Sequence, residues 1–221
     1  MKSYFEFLLD RVAPPEVGTG DWAPDPPDRY CPRCGLCVGP GEVMGGRCSR
    51  CRALKLPWQS LTRLGRYRPP LSDWVKRLKY KGCYRWAERL GTELAAALPS
   101  DLPPCTVVPT PMHVVRRYLR GLDHAELLAL AVACQQGWPM RRLLRRRRLT
   151  PPQSSVPPSE RMANLARAIE PKRLRSDRVP ERVLLVDDVK TTGATLTRCC
   201  RALNKLGIRE IHVAVVAVAE P

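Results

Sequence analysis

The 221-residue chain lacks any run of about 18 or more apolar residues, the length that a membrane-spanning helix requires. We therefore expect no membrane insertion. Its first residues, MKSYFEFLLDRVAPPEVG, also lack the features of an export leader, because the apolar stretch is short and is interrupted by Glu6 and Asp10. Together these absences predict a cytoplasmic protein. Apolar residues make up 44% of the chain, which is compatible with a packed core and too high for a disordered chain.

Acidic residues are scarce as well. There are 21 of them against 38 lysines and arginines, which gives a net charge of +17. This balance favours polyanionic partners such as nucleic acid, anionic membrane or phosphorylated small molecules, although much of the charge could simply be solvated surface. The densest basic stretch is RRLLRRRRL. The candidate nucleic-acid contacts in it are Arg141, Arg142, Arg145, Arg146, Arg147 and Arg148.

The chain has no internal repeat at a spacing of 20–50 residues. Composition instead divides it into an N-terminal segment and proline-rich linker (residues 1–28), a cysteine-rich ribbon (29–56) and a larger domain (57–221). In the larger domain, apolar strand patterns alternate with helical patterns. Such alternation predicts an α/β fold in which helices cover both faces of a parallel sheet.

Several local signals set expected boundaries within that domain. Ser72 is a plausible N-cap of a helix that Gly82 would interrupt, and Gly137 should end the helical pattern HAELLALAVACQQ. The basic stretch RRLLRRRRL should begin as a strand. The pattern SERMANLARAIE predicts a short helix capped by Ser159, and RVLLVDD predicts a strand that runs through Asp188.

Five of the ten cysteines crowd between Cys31 and Cys51, in a stretch too short for a hydrophobic core. Two CxxC pairs about 15 residues apart are typical of a structural zinc site with four thiolate ligands, and the metal then substitutes for the missing core. We predict Zn²⁺ ligation by Cys31, Cys34, Cys48 and Cys51. Cys37 forms a competing CxxC with Cys34, and a redox-active pair is the alternative. The remaining cysteines fall on apolar patterns and are expected to be buried thiols: Cys83, Cys105, Cys134, Cys199 and Cys200.

The segment VLLVDDVKTTGATL carries the clearest sign of a ligand site. Ligands of open parallel sheets bind at the carboxyl ends of the strands, where this strand would deliver Asp187 and Asp188. Gly193 lets the following backbone approach a ligand, and the start of a helix favours an anion. A ribose 5-phosphate fits both parts, with its phosphate on the loop and its hydroxyls on the carboxylates. The alternative is a strand end and a helix cap with no ligand.

VLLVDDVKTTGAT resembles the phosphoribosyl-pyrophosphate (PRPP) motif of type I phosphoribosyltransferases. The wider pattern is similar to the ComF family, which combines a zinc ribbon with such a domain: CPRC…CSRC, RLKYKG, VVPTP, RGLDHA and TPPQSSVPPSERMAN occur in the family's order. Asp123 and His124 stand where the family has Asn and Gln, and Ile169 stands where it often has an aromatic residue. The resemblance implies a type I phosphoribosyltransferase-like parallel sheet flanked by helices, with a small N-terminal zinc ribbon.

The resemblance also implies site residues. Contacts to PRPP, accompanied by Mg²⁺, are expected from Asp187, Asp188, Val189, Lys190, Thr191, Thr192, Gly193, Ala194 and Thr195. Further possible ligand contacts are Lys79, Arg120, Arg161 and Asn164. Catalytic residues stay unassigned at this point.

Three functional interpretations follow from this resemblance and the charge. The first is a ComF-like cytoplasmic protein that binds PRPP or a related ribose-phosphate and handles single-stranded DNA during DNA uptake, with proteins of the uptake machinery as possible partners. The second is an active phosphoribosyltransferase that passes ribose 5-phosphate to a nitrogenous acceptor. The third is an adaptor whose ribbon binds other proteins and which binds neither PRPP nor DNA.

Overall fold

A computed structural model describes residues 22–80, 84–112, 123–146, 169–173 and 179–220. Its strands are β1 (Val43–Met44), β2 (Arg47–Cys48), β3 (Ser60–Arg66), β4 (Thr106–Pro109), β5 (Leu144–Arg146), β6 (Ile169–Pro171), β7 (Arg182–Lys190) and β8 (Glu210–Val218). Its α-helices are α1 (Ser49–Arg52), α2 (Leu71–Tyr80), α3 (Tyr84–Ala96), α4 (His124–Gln136) and α5 (Ala194–Asn204). A single 3₁₀ turn, Pro27–Arg29, precedes them in the described chain.

The central sheet has four parallel strands in the order β3-β8-β7-β4. Parallel strands that are covered on both faces read as continuous apolar runs, and the four residues of VLLV at the start of β7 are fully buried. Helices α2, α3 and α4 pack in one apolar cluster with Leu184 and Val186. Helix α5 and the β5-β6 pair pack in another with Val183 and Leu185. The expected parallel sheet with helices on both faces is therefore confirmed.

Some boundaries were predicted correctly and others were wrong. Helix α4 ends at Gly137, whose φ is 65°, and β5 occupies the expected strand. Ser72 is not an N-cap, since α2 begins at Leu71 and the Ser72 N–H already donates to the Arg68 carbonyl at 3.0 Å. Ile169 and Glu170 were expected in a helix, yet they pair with β5 as strand β6, because tertiary pairing overrides local propensity. The rest of that expected helix, with Ser159, and Gly82 lie outside the described residues.

The cysteine-rich ribbon packs against the edge strand β3. It consists of the β1-β2 hairpin, helix α1 and a preceding loop. The Pro32 carbonyl accepts a hydrogen bond from the Leu61 N–H at 2.7 Å. A Cβ added at Gly35 would lie 2.5 Å from a Leu61 methyl carbon, so the Gly35 backbone packs more closely on the Leu61 side chain than a larger residue would allow. The division at residues 56 and 57 stays a prediction, but the two parts touch directly.

A fully buried arginine joins three parts of the chain at this edge. Arg63 of β3 has no exposed surface, and its guanidinium lies 2.8 Å from the Asp25 carboxylate and 3.5 Å from that of Glu220. It also donates to Cys37 Sγ at 3.0 Å and lies 5.0 Å from the centre of the Tyr30 ring. The N-terminal segment, the ribbon and the chain beyond β8 therefore share one buried cation.

No helix in the described parts of the chain is both long enough and apolar enough to cross a membrane.

Candidate functional site

The predicted metal ligands converge. Sγ atoms of Cys31, Cys34, Cys48 and Cys51 all lie within 4.8 Å of one another, and all four side chains are buried. Adjacent sulfurs are 3.6 Å apart in two pairs and 3.8 Å apart in a third. A zinc ion bound tetrahedrally at about 2.3 Å from each sulfur would place the sulfurs about 3.8 Å apart. The four cysteines thus fit a closed zinc site, which is structural because it has no open position for a substrate.

The thiols of the group differ in their pKa values. The Cys48 N–H lies 3.4 Å from Cys31 Sγ. Burial by itself raises the pKa of the Cys31 thiol, but hydrogen bonds from nearby backbone N–H groups outweigh it and hold that pKa at about 7. A thiolate is the form that binds a metal, so Cys31 is prepared for ligation near neutral pH, whereas burial raises the pKa of Cys34 and of Cys51.

Cys37 is not part of the group. Its sulfur accepts from Arg63, and its N–H donates to Glu220 Oε1 at 2.7 Å. Of the overlapping CxxC pairs, Cys31 and Cys34 therefore lie in the group of four and Cys37 does not, while the ligand set itself stays a prediction.

We expect the purified chain to carry about one zinc ion, as measured by inductively coupled plasma mass spectrometry. Cys34→Ser should lose most of this zinc, because a three-thiolate site binds zinc far more weakly and exposes the ribbon to unfolding. Cys37→Ser is the matched control and should keep its zinc. Equal zinc content in the two variants would contradict the ligand set.

The other cysteines follow the expectation in part. Cys105, Cys199 and Cys200 are buried, whereas Cys134 is exposed, so the prediction for Cys134 was wrong. Cys134 lies in the last turn of α4, where the helix end faces solvent. Cys83 lies outside the described residues.

The aspartate pair lies within strand β7, as the pattern RVLLVDD predicted. Strand β7 continues through Lys190, and its register with β8 runs on to Lys190 opposite Val218. The strand therefore runs two residues beyond its predicted end at Asp188, because its pairing with β8 continues. Both carboxylates still lie near the carboxyl end of the strand, beyond the last residue of β4.

The Asp187 carboxylate is half-buried and accepts hydrogen bonds from two neighbouring residues. Oδ1 accepts from the Asp188 N–H at 2.9 Å, and the Thr110 hydroxyl donates to the same carboxylate. Burial, and next the negative charge of Asp188, raise the pKa of Asp187 to about 7. Near neutral pH the Asp187 carboxyl is therefore partly protonated and partly ionised. A carboxyl of this kind can lose its proton when a cation or a hydroxyl donor binds beside it.

Asp188 is paired with a lysine from the opposite layer. Lys79 Nζ lies 2.9 Å from Asp188 Oδ1, and the two side chains are 21% and 17% exposed. Lys79 is the penultimate residue of α2, so this ion pair brings the end of that helix to the carboxylates. The structure thus assembles Lys79, Asp187 and Asp188 at one place, as the sequence predicted for these three.

The loop after the aspartates is short. Val189 and Lys190 belong to β7, while Ala194 and Thr195 already belong to α5, so only residues 191–193 form a turn. Gly193 has φ 76°, the left-handed region that favours glycine. The Ala194 N–H lies 3.4 Å from the Thr192 hydroxyl oxygen. The turn therefore leads directly into the N-terminus of an 11-residue helix, whose first N–H groups attract anions.

The two residues between the aspartates and the turn lie below the surface. Val189 is partly buried against the apolar cluster of α2, α3 and α4. Lys190 is buried, and burial lowers the pKa of its ammonium. These two residues support the turn from beneath.

Several predicted contacts lie outside the described residues, namely Arg120, Arg147, Arg148, Arg161 and Asn164. The other arginines of the basic stretch are described. Arg142 pairs with Glu126, and Arg145 lies 3.2 Å from Glu170. Part of the charge in this stretch is thus neutralised within the chain. The nucleic-acid role of these arginines stays a prediction.

The sequence did not predict two residues that lie at the site. Thr110 donates to Asp187, and its N–H donates to the Val186 carbonyl at 2.9 Å. The VPTP motif marked this turn, but only the register of β4 beside β7 shows what its threonine touches. Trp58 is buried beside Gly193, a contact across 135 positions of sequence that no local pattern reveals.

Comparison with known proteins agrees with this architecture. Residues 124–220 match the phosphoribosyl transferase domain. The chain is 28% identical over 190 residues to competence protein F of Haemophilus influenzae, covering 82% of each chain. It is 31% identical over 191 residues to the DNA utilization protein YhgH of Salmonella typhi, covering 83% of this chain and 81% of that one.

Among solved structures, a similar one is described as the allosteric regulatory enzyme of purine biosynthesis. It is 20% identical, has a TM-score of 0.45, and covers 64% of this chain and 30% of that chain. The fold is of the type I phosphoribosyltransferase kind, with a cysteine cluster compatible with a zinc ribbon at its N-terminal side. On the strength of its curated relatives and of this fold, the chain belongs to the ComF family, which includes competence protein F and YhgH.

Proposed function

We propose that the protein binds a ribose 5-phosphate compound, PRPP in particular, at the end of β7 and takes part in DNA uptake or use. The observation that carries this proposal is the placement of two half-buried carboxylates immediately before a glycine turn and the N-terminus of α5. The names of the curated relatives, competence protein F and DNA utilization protein, support the wider role.

The turn suits the phosphate. Its backbone N–H groups and the Thr191 and Thr192 hydroxyls are donors, and the α5 dipole adds partial positive charge at the same place. Gly193 presents no side chain, so a phosphate oxygen could approach the backbone closely. Threonine hydroxyls and backbone amides together would supply several hydrogen bonds to one anion.

The carboxylates suit the sugar. Asp187 and Asp188 offer up to four acceptor oxygens, the complement of two adjacent ribose hydroxyls and of the Mg²⁺ that accompanies a pyrophosphate. Lys79 lies beside Asp188 and could turn toward a bound pyrophosphate, which would need a cation near its charge. Each part of PRPP thus meets a group of matching chemistry.

Calorimetric titration with PRPP and Mg²⁺ at pH 8, where Asp187 is ionised, is the direct test. Loss of one charge-assisted hydrogen bond costs about 1.5–3 kcal/mol, so Asp188→Asn should weaken PRPP about 10–150-fold. Asp73→Asn is the matched control, because Asp73 is an exposed carboxylate that pairs with Lys76 in α2. The affinity of Asp73→Asn for PRPP should equal that of the wild type. Absence of PRPP binding by the wild type, or equal binding by Asp188→Asn, would refute the proposal.

Single-stranded DNA is the proposed macromolecular partner. A chain with 17 net positive charges attracts a phosphate backbone, and the arginines of residues 141–148 concentrate that charge. Arg145 remains 46% exposed although it pairs with Glu170, so it could exchange a carboxylate for a phosphate.

Fluorescence anisotropy with a labelled single-stranded oligonucleotide measures the binding of DNA to the protein. If four phosphates are contacted, raising the salt from about 50 to 200 mM should weaken binding about 50-fold. Reversing the charge at Arg145, Arg146, Arg147 and Arg148 should abolish most binding at low salt. Arg209→Glu, at an exposed arginine just before β8, is the control for the single reversal Arg145→Glu, because each lowers the net charge by two. Binding that survives the four reversals would contradict a DNA role for this stretch.

A phosphoribosyl transfer reaction is the alternative to binding alone. Release of pyrophosphate from PRPP, measured with and without nitrogenous acceptors, separates the two.

A further inference from the structure

One buried tryptophan connects the cysteine group to the turn that follows β7. Trp58 is 1% exposed, and its Nε1–H donates to the Arg33 carbonyl at 2.8 Å. Arg33 lies between two of the candidate metal ligands. At the far edge of the same indole, Cη2 lies 3.6 Å from the position that a Cβ would occupy at Gly193. A single rigid ring system therefore spans the distance from the cysteine group to the turn.

The segment around Trp58 is fixed by the same short loop, residues 31–35, which we call the knuckle. The Arg33 guanidinium donates to the Gln59 carbonyl at 2.5 Å and to the Leu56 carbonyl at 3.0 Å. The Pro32 carbonyl accepts from Leu61. The knuckle thus holds the backbone on both sides of the tryptophan, so the ring has little freedom once the knuckle is ordered.

Lys190 packs against the same glycine. It follows the aspartate pair and is buried, and its Cε lies 3.4 Å from the Cβ position at Gly193.

We propose that the metal-loaded knuckle and the turn at residues 191–193 form one coupled unit, in which Trp58 is a positioning residue for the turn. Metal binding orders the knuckle, the knuckle fixes the indole, and the indole supports Gly193. By thermodynamic reciprocity, a ligand on the turn then strengthens metal binding to the same extent. The first half of the proposal is that metal binding orders the turn, and it does not depend on the function proposed above. The second half is that a ligand on the turn strengthens metal binding, and it rests on the proposed ribose-phosphate function.

Hydrogen exchange on the full chain, with zinc bound and after chelation, tests the first half. Amides of residues 191–194 should exchange at least about fivefold faster without zinc, the lower end of typical coupling factors. Amides within α4, on the other face of the sheet, serve as the internal control and should change little. Unchanged exchange at the turn, or an equal increase in α4, would overturn the coupling.

Two variants locate the connection while zinc stays bound. Trp58→Phe removes both the hydrogen bond to Arg33 and the edge that reaches Gly193, so it should speed exchange at the turn in the zinc-loaded chain. Trp138→Phe, which changes a tryptophan packed on the opposite apolar cluster, is the matched control. A turn that responds to zinc equally in wild type and Trp58→Phe would eliminate the tryptophan route.

The second half is tested by measuring the rate at which zinc passes from the protein to a chromogenic chelator. Saturating PRPP with Mg²⁺ should slow zinc release from wild type by about fivefold or more, and this protection should vanish in Trp58→Phe. If PRPP binds and zinc release is unchanged, the coupling is wrong. If PRPP does not bind, the ribose-phosphate function fails, and the exchange measurement still decides whether metal and turn are coupled.

Discussion

Replacing Arg63 by methionine is expected to lower the free energy of unfolding by about 3–5 kcal/mol. The variant removes a fully buried cation and leaves the Asp25 and Glu220 carboxylates without their shared partner. It also removes the contact with Cys37 that ties the ribbon to β3. For a chain of this size, a loss of that magnitude corresponds to a decrease in Tm of roughly 10 °C, which thermal or chemical denaturation would measure.

Arg66→Met provides the comparison. Arg66 pairs with the same Glu220 at 3.0 Å, but its side chain is 43% exposed. Exposed ion pairs contribute at most about 1 kcal/mol, so this variant should unfold almost as the wild type does. If the two variants lose the same free energy of unfolding, the burial of Arg63 adds no stability beyond that of an exposed ion pair.

Gly193→Val is expected to weaken PRPP by at least about 100-fold, equivalent to 2.7 kcal/mol. At φ 76° any side chain is strained by about 1–2 kcal/mol, and a β-branched one more so. The two methyl groups would also extend from a Cβ that already lies within 3.6 Å of Trp58 and Lys190. The turn must rotate to relieve this crowding, which moves its N–H donors away from the phosphate.

Gly137→Val separates strain from function. Gly137 ends α4 with φ 65°, and a Cβ there meets nothing within 4 Å. Its variant should lose similar backbone stability and keep full PRPP affinity, as measured by calorimetry. If both variants lose affinity alike, the effect of Gly193→Val would come from general destabilisation.

The parts of the structure that sequence predicted well depend on local chemistry. Two CxxC pairs can be read as a tetrahedral site because thiolate geometry is fixed by the metal, and the four sulfurs do converge. The buried run in β7 and the glycine at the end of α4 are likewise local signals with one physical meaning each.

The parts that sequence missed depend on partners far away in the chain. Strand β7 extends past the aspartates because β8 continues to pair with it, and Ile169 joins a strand because Arg146 lies opposite. Neither partner is visible in the segment itself. The same holds for Thr110 at Asp187 and for Trp58 at Gly193, which are brought into contact only by the assembled sheet.

The strand order has a consequence for synthesis of the protein. In the described sheet β3 pairs with β8 alone, and Ser60 bonds to His212, 152 residues later in the chain. At about 5–20 residues per second, a ribosome needs roughly 8–30 s to supply that partner. During this interval the edge of β3 that later meets β8 has no neighbour in the sheet. The ribbon, which is made first and docks on β3, can be metal-loaded well before the sheet that it supports is complete.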